Sequence, residues 1–273
     1  MNVWLKPILL SATVLLLSAC TLPFTHDQAK EKEATPAKTQ KGKAPETKGN
    51  TTPNKSSEGT SNTTTDENQT STTDPNAIQV VGDPTSVTVL VNKTHKLPDG
   101  YIPPDLVYPN VNFPYADKIE KREMRAVAAK ALEKMFAAAS KDGITLYAQS
   151  GYRSYVTQKS VFDASVQREG LKKTEVAVAI PGTSEHQTGL AIDLTSPAVN
   201  DDVVQAYANT PDGQWVANNA HVYGFIIRYP DGKQSITGYE YEPWHIRYVG
   251  ADVATYIYEH HLTLEQYLAQ KGK

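Results

Sequence analysis

The chain has 273 residues, room for one or two domains, with 27 Lys and Arg against 30 Asp and Glu, seven His and one Cys. A formal charge of −3 offers no basic face to a phosphate backbone and argues against nucleic-acid binding. A single cysteine excludes an intrachain disulfide and a thiolate zinc cluster.

That cysteine, Cys20, closes the opening stretch MNVWLKPILLSATVLLLSAC. Lys6 gives a short positive region, and Pro7 to Leu17 form an apolar run, shorter than the ~20 residues of an ordinary membrane span. Residues 1–19 therefore read as a secretory signal peptide. Leu17, Ser18, Ala19 and Cys20 resemble the bacterial lipobox, which implies lipidation of Cys20 (palmitate among the acyl chains). Each buried methylene would contribute ~0.8 kcal/mol of membrane affinity, so the expected location is the extracytoplasmic face of the cell membrane, reached through a lipid anchor. Residues 20–83 are Thr, Asn, Ser, Lys and Pro with few large apolar side chains. Such a stretch cannot offset its ordering entropy and reads as a disordered tether. The globular domain is expected over 84–273.

Within it, SVTVLVN (86–92) alternates and predicts a strand. KLPDGYIPPDLVYP (96–109) has too many prolines for a helix interior and reads as an extended wrapping segment. The spacing of Met124, Val127, Ala128, Ala131, Leu132, Met135 and Phe136 predicts a helix over 118–142, ended by Gly143. ITLYAQS (144–150) predicts a strand. A second helix is expected from Ser154, a good N-cap, to Gly170. LAIDL (190–194) reads as a strand and 213–223 as a helix stopped by Gly224. FIIRYP (225–230) and WHIRYV (244–249) read as strands. Two short helices close the chain, the last capped by Thr263 with Gln266 three residues on. The sum is an α+β domain, a small and mainly antiparallel sheet flanked by helices.

The chemistry concentrates in three places. In TSEHQTGLAIDL (183–194), Leu190, Ile192 and Leu194 alternate onto a core face, which turns Asp193 to the other face beside small Ala191. Gly189 permits a sharp bend just before the strand, and such a bend could bring His186 to the same point as Asp193. In YEYEPWHIRYV (239–249), Pro243 marks entry to a strand, with Glu242 on the turn and His245 at the strand start. His186, Asp193 and His245 form a three-ligand N/O set that suits one catalytic zinc, with Glu242 as the nearby non-ligand base. Residues alone also leave Glu242 open to a surface ion pair with Arg247 or Arg228. Arg153, just ahead of the second helix, suits a substrate carboxylate or a developing oxyanion.

The motifs SGYRS, GTSEHQTGLAID and EPWHIRY, in that order, resemble the VanY/LdcB family of peptidoglycan carboxypeptidases, zinc enzymes with the hedgehog/DD-peptidase-like fold. The likeness spans about residues 88 to 260. Ser184, His186 and Asp193 meet the family pattern S-x-H-x(6)-D, and Glu242 and His245 meet E-x-x-H. The resemblance implies zinc on His186, Asp193 and His245, and catalytic roles for Glu242 and Arg153. It further implies that Ser184 and Gln158 line the substrate pocket with Arg153. The implied activity is removal of the terminal D-alanine from peptidoglycan stem peptides by a monomer. An L,D-carboxypeptidase on tetrapeptides is expected. The alternatives are a D,D-carboxypeptidase on pentapeptides ending in D-Ala-D-Ala and a non-catalytic peptidoglycan-binding module.

Overall fold

The structure, a computed structural model, describes residues 77–272. The expected signal peptide, Cys20 and most of the tether lie outside the described residues. In chain order come β1 (Gln79–Val80), β2 (His95–Lys96), β3 (Leu106–Val107), β4 (Met124–Arg125), α1 (Ala126–Lys141) and β5 (Tyr147–Ser150). Then follow α2 (Tyr155–Glu169), α3 (Leu171–Ala177), β6 (Ala191–Thr195), α4 (Pro211–Asn219) and β7 (Phe225–Ile227). The remaining elements are α5 (Gln234–Thr237), β8 (His245–Tyr248), α6 (Ala251–Glu259) and α7 (Leu264–Lys271).

The central sheet has the order β5-β6-β8-β7, and all three of its pairings are antiparallel. Two smaller pairs stand apart, β1 with β2 in parallel and β3 with β4 antiparallel. The α+β expectation holds. Leu190, Ile192 and Leu194 are fully buried in the main core with Met124, Leu132, Met135, Phe225 and Ile246. Strand alternation sends Ile226, the neighbour of Phe225, into a second cluster with Val249, Ile257 and Leu264.

Several expected boundaries shift. The helix expected over 118–142 starts at Ala126. Residues 120–122 form a 3-10 turn, and Met124 joins the core from β4, not from a helix. Tertiary hydrogen bonds hold this stretch extended: Arg125 N–H donates to Gly189 O at 2.8 Å and Ala126 N–H to Asp105 O at 2.8 Å. The stretch 86–92 buries Val89 and Val91 but joins no named strand, and only Asn92 bridges to His95. The carbonyls of Val87 and Val89 accept instead from the Arg247 guanidinium, at 3.0 and 2.9 Å. The helix expected over 213–223 begins earlier, at Pro211, because Thr210 caps it by accepting from Gly213 N–H at 3.0 Å. It gives way to a 3-10 turn over 220–223, and Gly224 stops that turn in the left-handed region at φ 88°. Strand β1 lies ahead of residue 84, inside the stretch read as tether. The caps expected at Ser154 and Thr263 are present, the latter with the full Thr263–Gln266 capping box.

Candidate active site

The two inner strands of the sheet carry two of the expected ligands opposite each other, because β6 and β8 pair with Asp193 facing His245. His245 Nδ1 lies 2.9 Å from Asp193 Oδ1. His186 sits on a 3-10 turn over Glu185–Thr188 that ends at Gly189, φ 66°. A Cβ at Gly189 would stand 2.9 Å from Leu106 Cδ2 and 3.0 Å from Arg125 Cγ, so the bend needs glycine for space as well as for conformation. This bend carries His186 Nε2 to 3.5 Å from Asp193 Oδ2. The imidazoles of His186 and His245 meet edge to face, 4.9 Å between centroids. One ligand atom from each of His186, Asp193 and His245 lies within 4.8 Å of the others, and all three residues are buried.

Both rings are oriented from behind. His186 Nδ1 is 2.8 Å from Gly151 O; a carbonyl only accepts, so Nδ1 carries the proton and Nε2 keeps its lone pair for the site. His245 Nε2 faces Glu185 Oε2 at 3.5 Å, which turns Nδ1 toward Asp193. Two imidazole nitrogens and a carboxylate converging in a buried pocket, each ring backed by an acceptor, fit a zinc ion with three protein ligands. Burial lowers the His186 pKa to about 4, with Asp193 opposing. Burial acts against ionisation of Asp193, yet His186 and His245 hold its pKa below the usual value. Burial also acts against the charged form of His245, but its hydrogen bonds to Asp193 and Glu185 prevail and raise its pKa to about 10.

Glu242 lies on the turn before β8, its carboxylate 4.0 Å from His245 Nδ1 and its side chain 28% exposed. Burial first, then repulsion from Asp193, Glu185 and Glu240, pushes its pKa to about 7, with His245 opposing. A carboxylate tuned to that range suits a general base. Arg228 and Arg247 do not pair with it. Both instead donate to Glu185 Oε1 at 2.7 Å, fully buried behind the site.

Arg153 stands one residue ahead of the Ser154 cap of α2. Its Nη1 donates to Gln158 Oε1 at 3.1 Å and its backbone N–H to His186 O at 3.2 Å. Gln158 Nε2 donates to Ala179 O at 2.7 Å. Gln158 does line the cleft, but both ends of its amide are engaged within the protein, and its direct contact is with Arg153. Ser184 lines the same cleft, with Glu242, Tyr229 and Tyr239. Sequence reasoning missed Glu185 and the two tyrosines, and it offered Arg228 and Arg247 only as partners of Glu242. Tyr229 stacks on His245 at 5.0 Å and meets the Tyr239 ring at a tilt, 4.6 Å between centroids. The available signal was an arginine inside each of two apolar strands, FIIRYP and WHIRYV.

A family model described as VanY, D-alanyl-D-alanine carboxypeptidase, matches residues 121–251. The putative carboxypeptidase YodJ of Bacillus subtilis (strain 168) is 50% identical over 198 residues, 72% of this chain and 72% of that protein. The solved structure of the LdcB LD-carboxypeptidase superposes with a TM-score of 0.69 at 50% identity, over 70% of this chain and 90% of that one. A mutant of the vancomycin resistance D,D-pentapeptidase VanY, solved with Zn(II), gives a TM-score of 0.54 at 32% identity, over 67% of this chain and 98% of that one. The matched segment contains Arg153, His186, Asp193, Glu242 and His245, and the chain belongs to the VanY family of carboxypeptidases.

Proposed function

We propose that the protein is a zinc metallocarboxypeptidase that removes the terminal D-alanine from peptidoglycan stem peptides, acting as an L,D-carboxypeptidase on tetrapeptides. The observation that carries the chemistry is the convergence of His186, Asp193 and His245 within 4.8 Å, with Glu242 4.0 Å from His245 Nδ1 and Arg153 on the same cleft. The L,D preference is supported by the 50% identity to the LdcB LD-carboxypeptidase against 32% to the D,D-pentapeptidase.

His186, Asp193 and His245 would hold one zinc ion, which when bound supplies Lewis acidity toward the scissile carbonyl and lowers the pKa of water. Glu242 takes the proton from the attacking water and passes it to the leaving amine as the C–N bond breaks. Arg153, oriented by Gln158, holds an anionic oxygen of the substrate. Ser184 and the tyrosine pair Tyr229 and Tyr239 wall the cleft around the peptide. The same reading places a monomer outside the cytoplasm, anchored through acylated Cys20 and carried by the 20–83 tether.

The test is to incubate purified protein with muropeptide tetrapeptides and pentapeptides and follow loss of alanine by mass. Loss from the tetrapeptide is expected. Loss only from the pentapeptide reassigns the enzyme as a D,D-carboxypeptidase. No loss from either, in zinc-loaded protein, overturns the activity.

A further inference from the structure

Behind the site lies a charge cluster that the proposed reaction does not use. Glu185, Arg228 and Arg247 have no exposed side-chain surface, and burying charges is costly unless geometry and partners are excellent. Here they are. Glu185 Oε1 accepts from Arg228 Nε and from Arg247 Nη1, each at 2.7 Å. Arg228 spends its remaining fork on Glu265 of α7, at 3.0 and 2.6 Å. Arg247 spends its other donors on the carbonyls of Val87, Val89 and Tyr248. Two arginines and two glutamates leave no net charge. With Oε1 doubly occupied, Glu185 Oε2 is left facing His245 Nε2 at 3.5 Å.

That contact matters because His245 Nδ1 has two competing uses. It lies 2.9 Å from Asp193 Oδ1. A proton on Nδ1 would be donated to Asp193 and would remove the lone pair a metal needs. A proton held on Nε2 by Glu185 leaves that lone pair open. We propose that Glu185 is a positioning residue that sets the tautomer and ring plane of His245, and that Glu265 on the C-terminal helix is the far end of the same brace, acting through Arg228. This rests on the metal reading of the site given above.

The test measures Zn(II) affinity of the metal-stripped full chain by competition with a chromophoric chelator. The Co(II) visible spectrum and the melting temperature of the metal-free protein accompany it. The proteins are the unsubstituted chain, Glu185→Gln and Glu265→Gln. Loss of an outer partner typically weakens metal binding ~10- to 100-fold, so Glu185→Gln should show a drop on that scale with an altered Co(II) spectrum. Glu265→Gln should show a smaller drop in the same direction. If both folded variants bind Zn(II) within about two-fold of the unsubstituted chain while only their melting temperatures fall, the cluster is a fold support and the proposal fails. Where Glu185→Gln does not fold, Glu265→Gln decides alone, because Glu265 sits at the partly exposed end of the brace. Failure of the unsubstituted chain to bind Zn(II) at all would count against the metal reading and is visible separately in the same titration.

Discussion

The bend at Gly189 joins the two halves of the site, and its contribution can be worked out by adding one methyl group. Gly143→Ala is the control, because Gly143 has φ 76° and nothing within 4 Å of an added Cβ. It should cost only the left-handed conformation of a non-glycine residue, ~1–2 kcal/mol. Gly189→Ala carries that cost and adds contacts at 2.9 and 3.0 Å with Leu106 and Arg125. Forcing atoms into packed surroundings adds ~1–3 kcal/mol, for a total of about 2–5 kcal/mol. At ~2–4 °C per kcal/mol for a domain of this size, the metal-free melting temperature should fall by roughly 4–20 °C, against about 2–8 °C for the control. Calorimetry measures both, and a zinc titration on the folded fraction shows whether His186 still meets Asp193. If Gly189→Ala melts with Gly143→Ala and binds zinc as tightly as the unsubstituted chain, the bend does not assemble the site as argued.

Glu242→Ala should keep zinc stoichiometry and lose ~10²- to 10⁴-fold in rate, the usual scale for a general base, whereas His245→Ala should lose metal. Zinc per protein and turnover of one muropeptide separate the two, and the opposite pattern reverses the assigned roles. Arg153→Lys keeps the charge but loses the planar fork. Its rate should drop well below that of the unsubstituted chain, and an unchanged rate would reduce Arg153 to simple charge. Zinc binding should weaken steadily as the pH falls below about 10, because the metal must displace the proton of His245, and more steeply near 4, where His186 takes up its own; affinity that is flat between pH 7 and about pH 5 contradicts the ligand set. Cys20→Ala should move the protein out of the membrane fraction, as fractionation and immunoblotting would show, and a variant with a cleaved signal sequence that stays membrane-bound refutes lipidation there.

The convergence of His186, Asp193 and His245 was legible because each position depends on local geometry. Period-two alternation in LAIDL puts Asp193 opposite the core face, and a glycine ahead of it signals the bend that returns His186. Pro243 marks where β8 begins, which puts His245 at its first position. What stayed hidden depends on distant partners. Glu185 reads as an ordinary polar neighbour of His186 until strands bring Arg228 and Arg247 from 43 and 62 residues away. The helix over 118–142 was misread at its start because periodicity cannot register that Arg125 spends its N–H on Gly189. The same holds for 86–92, where alternation is real but a guanidinium takes the place of a neighbouring strand.

The position of the ligands in the sheet also bears on how the metal would leave. Asp193 and His245 occupy adjacent inner strands, shielded on either side by β5 and β7. Fraying of a sheet edge, the cheapest local opening, cannot part them. His186 alone stands outside the sheet, on the short turn before Gly189. Metal release should therefore begin with movement of the His186 turn, so that zinc loss from the folded protein should follow local amide exchange over residues 185–189 and not global unfolding.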